Sequence, residues 1–156
     1  MSELLVNMPL IAAVTAVAVA QVIKVPLTYL TSGKLDWSLL FSPGRMPSSH
    51  TAGMSALSTA IAFQEGLRSA LFALAFLTTA IVMFDAAGVR RHAGEHAAWL
   101  NRLIFENHAI GEEARRSAHE EIKRLKEIIG HKPSEVLGGL VLGVVIGWFF
   151  ARHALR

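Results

Sequence analysis

Four apolar runs alternate with polar segments along the chain, and their lengths are those of helices that enter a bilayer. The first covers residues 9–30, with Lys24 and Pro26 toward its far end. The second follows Pro47-Ser48-Ser49-His50 and covers 51–63, until Gln64-Glu65-Gly66 interrupts it. The third covers 67–84 and stops at Asp85, and the fourth covers 136–151 and ends before Arg152. A full span takes roughly 20 residues at about 1.5 Å each, so the last three reach across only when their polar ends join the helix. Short helices hold those polar ends close to the acyl region, which favours a recessed site at the membrane surface.

The stretch from 90 to 130 has a different pattern. Leu100, Leu103 and Ile104 recur at helical spacing, as do Ala114, Ala118, Ile122, Leu125 and Ile129, with charge between them. This predicts two amphipathic helices parted near Gly111, forming a solvated cap or lying on the bilayer surface. The charge run 115–127 reads as an exposed face with pairs such as Glu120 and Arg124, and no chemistry is assigned to it. The predicted fold is all-α: one domain over 1–156, an integral membrane bundle of four transmembrane helices with an amphipathic helical insertion before the last.

Small residues recur every four positions, at Ala12, Ala16 and Ala20, at Ala52, Ala56 and Ala60, and at Gly139, Gly143 and Gly147. Such stripes let membrane helices approach closely. They serve packing within one chain, or, for the glycine stripe, a homodimer.

Composition agrees with a bilayer as solvent. The chain is 53% hydrophobic with a mean hydropathy of +0.43, too apolar for an ordinary soluble domain. A soluble bundle of buried helices is the alternative this disfavours. The absence of cysteine excludes disulfides and thiolate metal sites. Net charge is only +3, but the basic residues flank the apolar runs and no base-reading motif is present, so lipid rather than nucleic acid is the expected acidic partner. The N-terminal run lacks a preceding basic region, so no removable signal peptide is read.

Connectivity assembles the polar groups. If all four segments span, the end of the first, the start of the second, the end of the third and the start of the fourth share one membrane face. That face then carries Lys24, Arg45 to His50, Asp85 to Arg91, and His131 to Glu135. Charge in such places is costly unless paired or used. Pro47 suits a first helical turn and Ser48 a cap, so the helix start at Ser48 and Ser49 can attract phosphate through free N–H groups, with His50 facing the same place. His131 and Glu135 are spaced i, i+4 on one helix face, where the carboxylate can accept a ring N–H and leave the other nitrogen free to attack phosphorus. Arg90 and Arg91 can grip phosphate oxygens in fork geometry, Lys24 can add a point charge, and Asp85 and Arg45 support.

Blander readings exist for each part. A single interfacial histidine is more often satisfied than catalytic, and an Arg-Arg pair after an apolar run is often an anchor. His92-Ala93-Gly94-Glu95-His96 also matches H-x-x-E-H, a zinc peptidase signature, but no third ligand follows at an obvious spacing and Gly94 weakens the helix. No metal and no cofactor are therefore expected. The convergence on one face, rather than any single residue, carries the functional reading.

Met46-Pro47-Ser48-Ser49-His50, Asp85-Ala86-Ala87-Gly88-Val89-Arg90-Arg91 and Gly130-His131-Lys132-Pro133-Ser134-Glu135-Val136 resemble the divergent branch of the phosphatidic acid phosphatase type 2 superfamily, which is related to vanadium-dependent haloperoxidases. The resemblance implies that His131 is the nucleophile, oriented by Glu135 where the superfamily has aspartate. It also implies that His50 is the acid for the leaving group, with Ser49 in place of the glycine of Pro-Ser-Gly-His. The usual Lys-x6-Arg-Pro motif is absent, so Lys24 stands in for it. The usual Ser-Arg before the last histidine is absent too, and Arg90 or Arg91 supplies that charge from across the insertion.

The expected activity is therefore hydrolysis of a membrane lipid phosphate through a phosphohistidine, on phosphatidylglycerol phosphate or phosphatidic acid. The alternatives are an isoprenoid diphosphate phosphatase and a non-enzymatic membrane protein that binds anionic lipid heads or a partner complex. A haloperoxidase is disfavoured because that chemistry is usually carried by soluble chains. Of the 15 Lys and Arg residues, only Arg68, Arg152 and Arg156 fall on the opposite face. The excess predicts a multi-pass protein of the inner membrane with its active face cytoplasmic and both termini outside.

Overall fold

The computed structural model describes residues 6–42, 44–106, 125 and 129–154. All regular structure among them is helical. Helix α1 covers Met8–Ser32, α2 Ser49–Glu65, α3 Ala70–Ala87, α4 Val89–Asn101 and α5 Pro133–Ala154, with a short 3-10 turn at Trp37–Leu40 and a π-helical turn at Arg102–Glu106. Each start has a local cause. Asn7, Ser48 and Ser69 accept from the N–H groups of Leu10, Thr51 and Phe72, which would otherwise be orphaned at the helix ends. Helix α1 ends at Gly33, whose left-handed φ of 67° lets its N–H reach the Tyr29 carbonyl.

Three helical stretches among the described residues are long and apolar enough to cross a membrane: Met8–Ser32, Ala70–Ile104 and Pro133–His153. Four were expected. The difference is α2, which has 17 residues and is packed against α1, α3 and α5. Its buried face is built from Ser49, Thr51, Gly53, Ser55, Ser58 and a run of alanines rather than from large apolar side chains. These hydroxyls bond inside the bundle: Ser55 donates to the Thr51 carbonyl at 2.7 Å, and Ser58 and Thr79 bond at 2.8 Å between α2 and α3. Satisfied in this way, they cost little to bury.

The small-residue stripes bring α1 and α5 against α2. Ala12, Ala16 and Ala20 of α1 meet Ala52, Ala56 and Ala60 of α2 in one buried cluster, with Leu142, Ile146 and Phe150 of α5 packed on it. Gly139, Gly143 and Gly147 lie directly on α2: a Cβ at these positions would meet the Ser48, Ala52 and Ala56 carbonyl oxygens respectively. The glycine stripe thus faces α2 within the chain.

Helices α3 and α4 run almost end to end, separated by Gly88, and the amphipathic region accordingly begins as a continuation of α3. Leu100 and Leu103 are exposed. The second predicted amphipathic helix and the Glu120–Arg124 pair lie outside the described residues. Leu125, which is described, is held to α4 through Asn101: its N–H donates to Asn101 Oδ1 at 3.0 Å and its carbonyl accepts from Asn101 Nδ2 at 2.9 Å.

Candidate phosphate site

Backbone contacts draw three chain ends together. The Ser48 N–H donates to the Glu135 carbonyl at 3.0 Å, joining the start of α2 to the first turn of α5. The His131 N–H donates to the Ala86 carbonyl at 3.0 Å, joining the approach to α5 to the end of α3. Gly130, with φ of 94°, lies so close to the backbone of Arg90 and Arg91 that a Cβ there would collide with both. Only glycine suits both the left-handed conformation and the close approach.

Helix α1 completes the site from its interior rather than its end. Lys24 is 1% exposed and its Nζ has no hydrogen-bond partner among the described residues. The helix continues about 12 Å past it, at ~1.5 Å per residue, so the site is recessed below that end. The charge of Glu135 acts on Lys24. His131 is 7% exposed, its Nε2 is buried without a partner, and the charges of Lys24, His50 and Arg90 all act on it. Burial first, and then Lys24, His50 and Arg90, push the His131 imidazole down to about 4. The ring is therefore neutral at pH 7, the state a nucleophile requires.

The other expected site residues are placed as follows. His50 is exposed in the first turn of α2. Arg90 pairs with Asp85 at 2.6 Å and Arg91 with Glu95 at 3.1 Å, both pairs well exposed. Arg45, exposed and left-handed at φ 61°, lines a cavity of about 550 Å³ together with the charged side chains of Arg91, Glu95, Lys132 and Glu135 and with His131. This cavity lies against the His131 side of the cluster.

Four local expectations change. Pro47 precedes α2, after a cis Met46–Pro47 bond, instead of occupying its first turn. Ser48 caps α2 as expected, accepting from Thr51 N and from Thr51 Oγ1 at 3.0 Å, but it is fully buried, so its hydroxyl does not face a ligand. Ser49 is buried as well. His131 stands before α5, not on it, and Glu135 Oε2 accepts from the Lys132 N–H at 3.1 Å, the backward half of a capping box. The carboxylate thus positions the helix start that carries His131, not the ring itself.

Gln21 was not anticipated. It lies three residues before Lys24 on the same helix face, its Nε2 donates to the Leu40 carbonyl at 3.0 Å, and its buried Oε1 has no partner among the described residues. A polar residue one turn from a lysine inside an apolar run was the available signal. In the H-x-x-E-H segment, Glu95 holds both Arg91 and His92, the latter at 3.2 Å. Among the described residues no group of three His, Asp or Glu side chains is arranged to hold a metal ion.

This arrangement can be set beside known proteins. Residues 5–146 match the family described as the Divergent PAP2 family. The chain belongs to that family. It is also similar to the "Uncharacterized membrane protein YuiD" of Bacillus subtilis (strain 168), at 47% identity over 156 residues, covering 95% of this chain and 99% of the relative. No solved structure matches. The protein is a membrane protein of several apolar helices, and its family links it to phosphatases by name.

Proposed function

We propose that the protein is a lipid phosphate phosphohydrolase that works through a phosphohistidine on His131. The observation that carries this reading is the convergence of Lys24, His50 and Arg90 on a buried, neutral His131 whose Nε2 has no partner. An uncompensated lysine in such a place is costly, and a phosphate dianion is the kind of ligand that offsets it. A ring nitrogen of His131 bonds to phosphorus as the bond to the lipid oxygen breaks. That oxygen leaves with the electron pair and takes a proton from His50. Water then attacks phosphorus, giving its proton to His50, and the P–N bond breaks to return neutral His131 and free phosphate. Lys24 and the two arginines hold the oxygens on which charge builds. Arg90 and Arg91 release Asp85 and Glu95 to do so, and exposed ion pairs of this kind are worth only about 0–1 kcal/mol.

The site faces the cytoplasm in this reading, because the basic residues gather on its side of the membrane. Lipids made on the inner leaflet, phosphatidylglycerol phosphate and phosphatidic acid, then precede isoprenoid diphosphates as substrates. The test is phosphate release by purified protein from a panel of these lipids, with His131→Ala as control. Turnover lost in His131→Ala and inhibited by vanadate supports the mechanism. Wild-type turnover in His131→Ala refutes it.

A second reading is favoured by the Glu135 contact. With its carboxylate on the Lys132 N–H, the ring of His131 lacks the expected orienting partner. The cluster then binds anionic lipid heads without cleaving them. Saturable binding of a lipid phosphate with no phosphate released from any of the panel selects this reading.

A further inference from the structure

Helices α1 and α3 both pack on α2, yet among the described residues no Cα atom of one comes within 8 Å of a Cα atom of the other. The gap between them is a groove with α2 as its floor. At the site end it is a cavity of about 360 Å³ lined by Val14 and Val17 of α1, His50, Gly53 and Met54 of α2, and Val82 of α3. Farther along, Leu10 of α1, Leu57 and Ile61 of α2 and Leu71 of α3 line a wider cavity of about 820 Å³. Its far rim is polar, with Asn7, Gln64 and Glu65. From His50 to Ile61 the floor extends about 16 Å at ~1.5 Å per residue.

His50 is the one polar residue of the upper cavity, and it also acts electrostatically on His131. An apolar track therefore begins at a candidate catalytic group and leads away from the charged cluster. A Cβ at residue 53 would lie 2.6 Å from Val17 Cγ2, so glycine there keeps the floor low. Val14 and Val17 are partly exposed, as the edge of an open groove requires.

We infer that this groove holds one hydrocarbon chain of the lipid whose phosphate lies at His131, admitted sideways from the bilayer between α1 and α3. The inference rests on the phosphate-site reading and adds the substrate class: a phosphate ester whose alcohol continues directly into a long apolar chain. The charged side chains around the cavity beside His131 and the apolar groove beside His50 match the two ends of such an amphiphile. The opening toward lipid lets the chain slide in without crossing water, which saves the cost of exposing its methylenes, ~0.8 kcal/mol each.

The probe is a long-chain alkyl phosphonate with a photoreactive diazirine in the chain, which needs no turnover to report. Wild-type protein in nanodiscs is irradiated and the labelled residues are mapped. Labels at Val14, Met54, Leu57 and Val82, competed by unlabelled alkyl phosphonate, are expected. Val82→Trp fills the groove and is expected to cut that labelling at least tenfold, and Val14→Trp, at an exposed edge that tolerates the change, does the same less strongly. If phosphate is released, Val82→Trp shifts the ratio of kcat/KM for a long-chain phosphate to that for glycerol phosphate at least tenfold against the long chain. Labels on the outer face of α5, at Leu137, Val141 and Val145, overturn the groove, as does an unchanged ratio. Groove labelling without phosphate release keeps the groove and rejects the hydrolase. Phosphate release with labels elsewhere does the reverse.

Discussion

Gly143→Ala and Gly138→Ala make the same chemical change five residues apart in α5, and the structure assigns them different outcomes. In a helix interior, alanine is favoured over glycine by about 1 kcal/mol, so both variants start with the same gain. At Gly138 the new Cβ would meet the end of the Met46 side chain at 2.8 Å, and that flexible side chain can swing aside. At Gly143 it would meet the Ala52 carbonyl oxygen and Ser55 Oγ, and backbone cannot give way without moving α5 off α2. Overpacking of this kind costs ~1–3 kcal/mol, and the Ser55 bond to the Leu140 carbonyl, 3.3 Å, is strained as well. The net expectation is a gain of up to about 1 kcal/mol for Gly138→Ala and a loss of about 1–2 kcal/mol for Gly143→Ala. Unfolding in mixed micelles by titration with sodium dodecyl sulfate, followed by circular dichroism, measures both. Because His131 stands just before α5, Gly143→Ala should also lower activity. Equal stabilities within ~0.5 kcal/mol would show that α5 does not approach α2 as described, and the assembly of the site would lose its basis.

Three further outcomes are expected. Glu135→Gln should keep part of the phosphate release that His131→Ala abolishes, since it retains a capping acceptor for the Lys132 N–H and loses only the charge facing Lys24; a null Glu135→Gln would give the carboxylate a chemical role. His131 should titrate near pH 4 by NMR, and Lys24→Met should raise that midpoint by removing a repelling charge. Since the unfolded ring, at about 6.5, binds its proton first, stability should fall as pH drops from about 6.5 to about 4, and a midpoint at or above 6.5 in the intact protein would contradict the burial. In sealed cells an impermeant thiol reagent should label Arg68→Cys but not Arg45→Cys, in a chain with no cysteine of its own; the opposite result turns the site outward and favours isoprenoid diphosphates.

The helices were legible because hydrophobic runs are long and their ends are marked. Residues 9–30, 51–63 and 136–151 lie within Met8–Ser32, Ser49–Glu65 and Pro133–Ala154, while the run 67–84 shifts to Ala70–Ala87 because Ser69 caps it. The convergence of Lys24, His50, Arg90 and His131 was legible too, from charge placed toward the ends of the apolar runs. What periodicity does not carry is the neighbour of each helix. The serines, threonines and alanines of α2 mark a helix surrounded by others, and they were read only as a spacing of small residues. The partner of Glu135 is not legible in the sequence, because the orphaned N–H at Lys132 that competes with the His131 ring cannot be located until the helix start is known. Arg90 and Arg91 find carboxylates at Asp85 and Glu95, five and four residues away, a local pairing that competes with the longer-range role the sequence suggested.

Gly130 has a bearing on how the chain can vary. Its backbone touches that of Arg90 and Arg91, so the stretch that departs after Arg91 returns to within contact of its own starting point. Seen from the bundle, α4 is an appendage hung from a closed doorway, and the doorway is backbone against backbone. Such an appendage can lengthen, shorten or change its charges from one relative to another while the distance that it must close stays fixed. A relative could even dispense with most of it, joining Arg91 to Gly130 by a tight turn, and keep His131 in place. The residue that cannot change is the one with no side chain.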